Sequence, residues 1–161
     1  MKSTRFSEMN CSLAQTLDVI GERWTLLILR DVFFGLNRFD EFQQSLAIAR
    51  NILSERLKLL VSEGILVRER LASDGRGWAY YLSDKGRDLQ PILLALTQWG
   101  DRWKGNPLGT RVEFIDRESR QPIRTLRPQS ADGRTLEPKD IRARAGPGLG
   151  IDDRIGRLKG S

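Results

Sequence analysis

Apolar residues recur along the first two-thirds of the chain at spacings of three and four. Leu13, Leu17 and Ile20 form the first such row, which Asn10 or Ser12 would cap and Gly21 would end. A second stretch, about residues 23–34, holds Trp24-Thr25-Leu26-Leu27-Ile28-Leu29. It is apolar almost all round, which predicts a central core helix stopped by Gly35. Residues 38–46 predict a short amphipathic helix with Phe39, Phe42 and Leu46 turned inward. Residues 48–63 are helix-periodic again, with Leu53, Leu57 and Leu60 on one face and Gly64 at the end.

The period changes at Ile65. Residues 65–71, the turn Ser73-Asp74-Gly75-Arg76-Gly77 and residues 78–83 predict a β-hairpin with a basic tip. Ser83 then caps a long helix expected to reach about Lys104. Its apolar residues Leu89, Ile92, Leu96, Trp99 and Trp103 follow one another at 3, 4, 3 and 4, the spacing of a coiled-coil seam. Pro91 predicts a kink or a frayed first turn there. The stripe either packs on its own domain or pairs with a second copy. Two tryptophans near its end are more apolar surface than one small domain covers, which favours the second copy.

Residues 105–161 change character. Residues 111–116 and 123–127 alternate like strands, Asp132-Gly133 marks a turn, and residues 140–144 suggest a third strand. The expected organisation is a flexible stretch 1–9, a domain 10–104, a small β appendage 105–145, and a disordered tail 146–161. The fold class is mainly α with a small β component. A helix running straight into a hairpin with a basic tip is the order of a winged helix-turn-helix domain. In that fold the helix enters the major groove of double-stranded DNA and the hairpin lies along the phosphates.

Charge adds little to this picture. The 161 residues hold 27 Lys+Arg against 21 Asp+Glu, a formal +6. Residues 1–104 carry 15 positive and 13 negative groups, net +2, so the basic excess lies mostly in the C-terminal third. The absence of histidine matters more. It removes Ser-His-Asp and Cys-His catalysis and most zinc-ligand sets, and no glycine-rich phosphate loop is present. No enzymatic activity, cofactor or metal is expected. One cysteine, Cys11, allows no intrachain disulfide and suits a reducing cytosol. Without a spanning apolar run or a secretory h-region, a soluble cytoplasmic protein with no membrane partner is expected.

Four stretches carry a family resemblance. They are Cys11 with Thr16–Arg30, Phe34-Gly35 with Arg38-Phe39 and Phe42, Leu53–Leu60 ending in Gly64-Ile65-Leu66, and Tyr80–Gly86 with Trp99-Gly100. Together they resemble the HxlR family of bacterial winged helix-turn-helix transcriptional regulators. The resemblance implies a homodimer on an inverted-repeat operator, joined through its first and last helices. Leu13 and Leu17 would then share the interface with Leu89, Ile92, Leu96, Trp99 and Trp103. The chain departs from the family in its proline-free wing and in Ala49, which replaces the usual Ser or Thr cap at a cost of roughly 1 kcal/mol. The C-terminal appendage resembles that of longer members only loosely.

Candidate contacts follow from side-chain chemistry. Arg50, Asn51, Ser54 and Glu55 lie opposite the leucine row near the start of the fourth helix, where Arg suits guanine, Asn adenine and Glu cytosine. Lys58, one turn on, suits phosphate, and Arg56, which flanks the buried row, reads either as a further DNA contact or as a partner of Glu63 or Glu22. Arg76 at the wing tip suits phosphate or minor groove, with Arg68 and Arg70 tracking the backbone. Trp78 either packs on the core or stacks on a sugar, and Arg38 is a phosphate anchor beside helix amides. Cys11 reads either as a sensor thiol for a small oxidant or electrophile, or as a packing residue at the dimer interface. Trp24, Phe33, Phe34, Trp99 and Trp103 either fill the core or line a cavity. The competing function is a winged-helix module that binds a protein partner instead of DNA.

Overall fold

In the N-terminal half each stretch with apolar residues at spacings of three and four forms a helix. A computed structural model describes residues 6–71 and 77–148, which fall into two compact units, Met1–Leu93 and Leu94–Ser161. In the first unit a 3-10 turn, Phe6–Glu8, precedes four helices: α1 Ser12–Ile20, α2 Arg23–Phe33, α3 Phe39–Leu46 and α4 Arg50–Ser62. A hairpin follows, β1 Leu66–Arg70 and β2 Trp78–Leu82, paired antiparallel with Leu66 opposite Leu82 and Arg70 opposite Trp78. Then come one turn of helix, α5 Asp84–Arg87, and α6 Gln90–Trp103, within which the division between the units falls.

One core holds the first unit together. Ile28 and Leu29 of α2, Phe42 of α3, and Leu53, Leu57 and Leu60 of α4 are all buried, with Ile20, Ile48, Ile65 and Leu66 completing the cluster. Phe39 and Leu46 pack against it half-buried, as the amphipathic pattern of α3 requires. The hairpin is tied in by the Tyr80 N–H, which donates to the Asn37 carbonyl at 2.8 Å, and by the Tyr80 ring, edge-on to Phe42 at 6.3 Å.

The join from α4 to β1 depends on Gly64. Its φ of +67° lets the Gly64 N–H reach the Val61 carbonyl and the Ile65 N–H reach the Leu60 carbonyl. That pair of bonds closes the helix and sends the chain straight into the strand. Ser83 organises the far end of the hairpin. Its hydroxyl donates to the Gly64 carbonyl at 2.6 Å and accepts from the Gly86 N–H at 3.1 Å. Gly86 is buried, and a Cβ there would lie 2.3 Å from the Ile65 carbonyl oxygen.

Several sequence expectations need correction. Neither Asn10 nor Ser12 caps α1; the cap position is Cys11, which makes no side-chain capping bond. The long helix after Ser83 is two helices. Pro91, the second residue of α6, has no N–H for the Arg87 carbonyl, and Asp88-Leu89 form a turn between the helices. That turn takes Leu89 off the expected seam and packs it, half-buried, on the core beside Leu93. In the second unit residues 111–116, 123–127 and 140–144 are not strands. Isolated bridges, Ile115 with Pro122 and Gln129 with Thr135, and a 3-10 turn at Pro138–Asp140 take their place. With Phe114, Ile123 and Leu136 only half-buried, no apolar face is covered well enough to hold a ladder in register. Residues 149–161, most of the expected tail, lie outside the described residues.

Candidate nucleic-acid interface

Helix α4 is two-sided because its sequence is. The row Leu53, Leu57 and Leu60 is fully buried, so the helix cannot rotate without exposing it. The opposite side then carries Arg50, Asn51, Glu55 and Lys58, all exposed, with Ser54 half-buried between them. Rows at i and i+4 put Arg50, Ser54 and Lys58 along one line. Ala49 holds the N-cap position without a side-chain bond, as its methyl group dictates.

Arg50 is the most constrained of these side chains. Its Nη1 donates to Gln43 Oε1 at 2.9 Å and lies 3.5 Å from Asp40 Oδ1. Its guanidinium carbon sits 4.8 Å from the centre of the Phe39 ring. All three partners come from α3. Arg56 flanks the leucine row and pairs with Glu22 at 3.8 Å and with Glu55, a member of the outward row, at 3.4 Å. Of the two partners expected for it, Glu22 is the one it reaches, while Glu63 sits 4.0 Å from Lys85 Nζ.

The hairpin contributes a second cationic row. Arg68 and Arg70 alternate on β1 and are exposed. Both guanidinium groups lie over Trp78, at 4.5 and 5.3 Å from its ring centre. Trp78 is thus a half-buried platform for two arginines, a role that neither of its sequence readings included. No periodicity could reveal it, because it depends on the hairpin register that sets Trp78 opposite Arg70 and Tyr80 opposite Arg68. Between α4 and the hairpin runs a groove of about 180 Å³ lined by Leu57, Lys58, Val61, Ser62, Arg68 and Tyr80. Burial pushes the Tyr80 phenol above its ordinary value of 10.0, with Arg68 pulling the other way, so Tyr80 offers this groove a hydroxyl.

Arg38 is exposed at the start of α3. The Glu41 carboxylate reaches back there and accepts the Asn37 and Arg38 N–H groups, each at 2.9 Å. An anion beside Arg38 would meet that carboxylate, so the expected help from helix amides is weakened. Arg76 lies outside the described residues.

The remaining candidates divide between exposed and packed positions. Leu13 and Leu17 on α1 and Ile92 on α6 are exposed, the first at 66%. In the second unit Leu96, Trp99 and Trp103 are exposed at 49%, 58% and 62%. Trp24 packs against the core and Phe33 is half-buried, while half of Phe34 is exposed. Cys11 is half-buried at the start of α1, its N–H donating to the Met9 carbonyl. Among the described residues no group of acidic, histidine or cysteine side chains is placed to hold a metal, and no helix is long and apolar enough to cross a membrane.

A family model described as HxlR-like helix-turn-helix matches residues 19–107. The chain is 42% identical over 103 residues to the HTH-type transcriptional regulator Rv3095 of Mycobacterium tuberculosis. That match takes in 64% of this chain and 65% of Rv3095, so the chain spans about two-thirds of that relative's length. It is 35% identical over 98 residues to YvaP of Bacillus subtilis, covering 60% of this chain and 91% of YvaP. Among solved structures, the candidate transcription factor PA1607 superposes with a TM-score of 0.81 at 42% identity, covering 89% of this chain and all of PA1607. The reduced form of the redox regulator HypR superposes at 0.55 with 31% identity, covering 59% of this chain and 95% of HypR.

Proposed function

Because the chain belongs to the HxlR-like helix-turn-helix family, we propose that it is a sequence-specific DNA-binding transcriptional regulator. It acts in the cytoplasm as a homodimer on an inverted-repeat operator, as repressor or activator. The observation that carries this reading is the two-sided α4. Its leucine row fixes the helix in the core, and its polar row faces outward beside the arginines of the hairpin. Arg50, Asn51, Ser54 and Glu55 read base edges in the major groove. Lys58, Arg68, Arg70, Arg38 and, at the wing tip, Arg76 neutralise phosphates.

A dimer supplies the symmetry. The exposed apolar side chains Leu13, Leu17, Ile92, Leu96, Trp99 and Trp103 need a cover, and a second copy presents the same set. Two recognition helices then reach successive major grooves about 34–36 Å apart. The likeness to HypR, named a redox regulator, supports a thiol response. Any such response runs through Cys11, the one cysteine in the chain. A small oxidant would take two electrons as Cys11 forms a disulfide with its symmetry mate or with a small thiol, with loss of the two thiol protons, or the Cys11 thiolate would add to an electrophile.

The test is a mobility-shift series on duplexes selected from a random pool by the full chain, run at several salt concentrations. A steep fall of affinity with salt and one preferred palindromic sequence support the reading. A shallow salt dependence with no preferred sequence overturns it in favour of a protein-docking module. Repeating the series after diamide, in the parent and in Cys11→Ser, tests the thiol. Equal responses in the two proteins would remove Cys11 from the mechanism.

A further inference from the structure

Arg50 is the one base-reading candidate whose side chain is held by another helix. Nη1 is engaged twice, by Gln43 Oε1 at 2.9 Å and by Asp40 Oδ1 at 3.5 Å, and the guanidinium lies over the Phe39 ring. The edge formed by Nε and Nη2 has no hydrogen-bond partner among the described residues. That edge carries two parallel N–H donors and is one of the two through which a guanidinium can bond both the O6 and N7 acceptors of guanine. The Asp40 carboxylate decides between partners. It is highly exposed beside Arg50, so a phosphate approaching this guanidinium would meet a like charge, whereas an uncharged base edge would not.

We propose that Gln43 and Asp40 of α3 are positioning residues for Arg50, holding Nη1 and keeping the guanidinium over the Phe39 ring so that the Nε–Nη2 edge is presented to a guanine. This rests on the DNA-reading function proposed above and adds the determinant of its specificity at one base pair. Residues that touch no base then set which base is read. An arginine already ordered loses less freedom when it binds, so its discrimination between base pairs is sharper than that of a free side chain.

The experiment uses the full chain and a duplex pool of random sequence. Selection with the parent yields a preferred duplex, and Arg50→Ala identifies the base pair whose preference collapses, expected to fall about ten- to a hundredfold. At that base pair the ratio of affinities for preferred and substituted duplexes is then measured for the double variant Gln43→Ala/Asp40→Asn. Asp40 is exposed and Gln43 half-buried, so neither change opens the core. The ratio should fall about three- to tenfold, with preferences at other positions unchanged. In an Arg50→Ala background the same pair of changes should have no further effect on it. A ratio equal to the parent's, in a protein whose Arg50→Ala variant has lost it, overturns the positioning role while leaving the DNA-reading function intact. If Arg50→Ala itself alters no preference, the assignment of α4 as the reading helix falls and takes this proposal with it.

Discussion

Replacing Trp78 with alanine separates the platform from the charges it carries. Arg68 and Arg70 keep their charge but lose the ring that lies 4.5 and 5.3 Å from their guanidinium carbons. Each cation–π contact at a partly exposed site is worth about 0.5–1 kcal/mol, so about 1–2 kcal/mol of ordering on the hairpin is lost. Both side chains must then be immobilised on DNA from a freer state, at a cost of about 0.5–1.5 kcal/mol each. Allowing for overlap between the two effects, affinity should fall roughly 5- to 30-fold at low salt. The number of phosphates neutralised does not change, so the slope of log affinity against log salt should stay close to the parent's. Arg68→Ala should behave differently: by removing a proposed phosphate contact it should flatten the slope by about one unit. Fluorescence anisotropy on one duplex across a salt series reads both quantities, and a thermal melt checks that the fold persists. A Trp78→Ala protein that binds as tightly as the parent refutes the platform. One that flattens the slope as Arg68→Ala does shows that the arginines are misplaced, not merely loosened.

Three other outcomes follow from the geometry. Gly86→Ala drives a Cβ against the Ile65 carbonyl, and since backbone must move to admit it, a loss of about 1–3 kcal/mol or more is expected in thermal or urea unfolding. Unchanged stability there would mean that the turn after the hairpin is looser than described. Asp116 accepts from the Ser119 hydroxyl at 2.7 Å and from the Glu118 and Ser119 N–H groups, which holds its carboxyl below the usual 3.8. A depressed value means that this turn is favoured above the ordinary carboxylate range and is lost as pH falls through the lowered value. A carbon-detected NMR titration of Asp116 with a midpoint at or above 3.8 would contradict it. Leu96→Glu places a charge among the exposed apolar residues of α6 and should convert the proposed dimer into monomers, as read by sedimentation. A parent that is monomeric at micromolar concentration removes the symmetric-operator argument.

What was legible in the sequence was legible through periodicity. The rows Ile28-Leu29, Phe42 and Leu53-Leu57-Leu60 place α2, α3 and α4 within two residues of their observed ends, because burial of one face decides both the helix and its rotation. The hairpin followed from Gly64 and from the run Trp78–Leu82. What was lost depended on geometry that a single chain position does not carry. The reach of Arg50 to Gln43 crosses between helices, whereas Glu22, one of the two partners expected for Arg56, is the one it meets. The Trp78 platform needs the strand register. The stripe through Leu89 failed for a local reason, since Pro91 resets the helix and shifts Leu89 onto the core. In residues 111–127 alternation alone suggested strands, and alternation without a well-covered face produced only isolated bridges.

The central claim, that α4 reads DNA as one of a symmetric pair, is tested most directly by hydroxyl-radical and methylation footprinting of the full chain on its selected duplex. The account predicts protected guanines in two major-groove half-sites about 34–36 Å apart, with protection lost at one guanine per half-site in Arg50→Ala. Protection that follows the phosphates without a fixed sequence, or that occupies a single half-site, would contradict it.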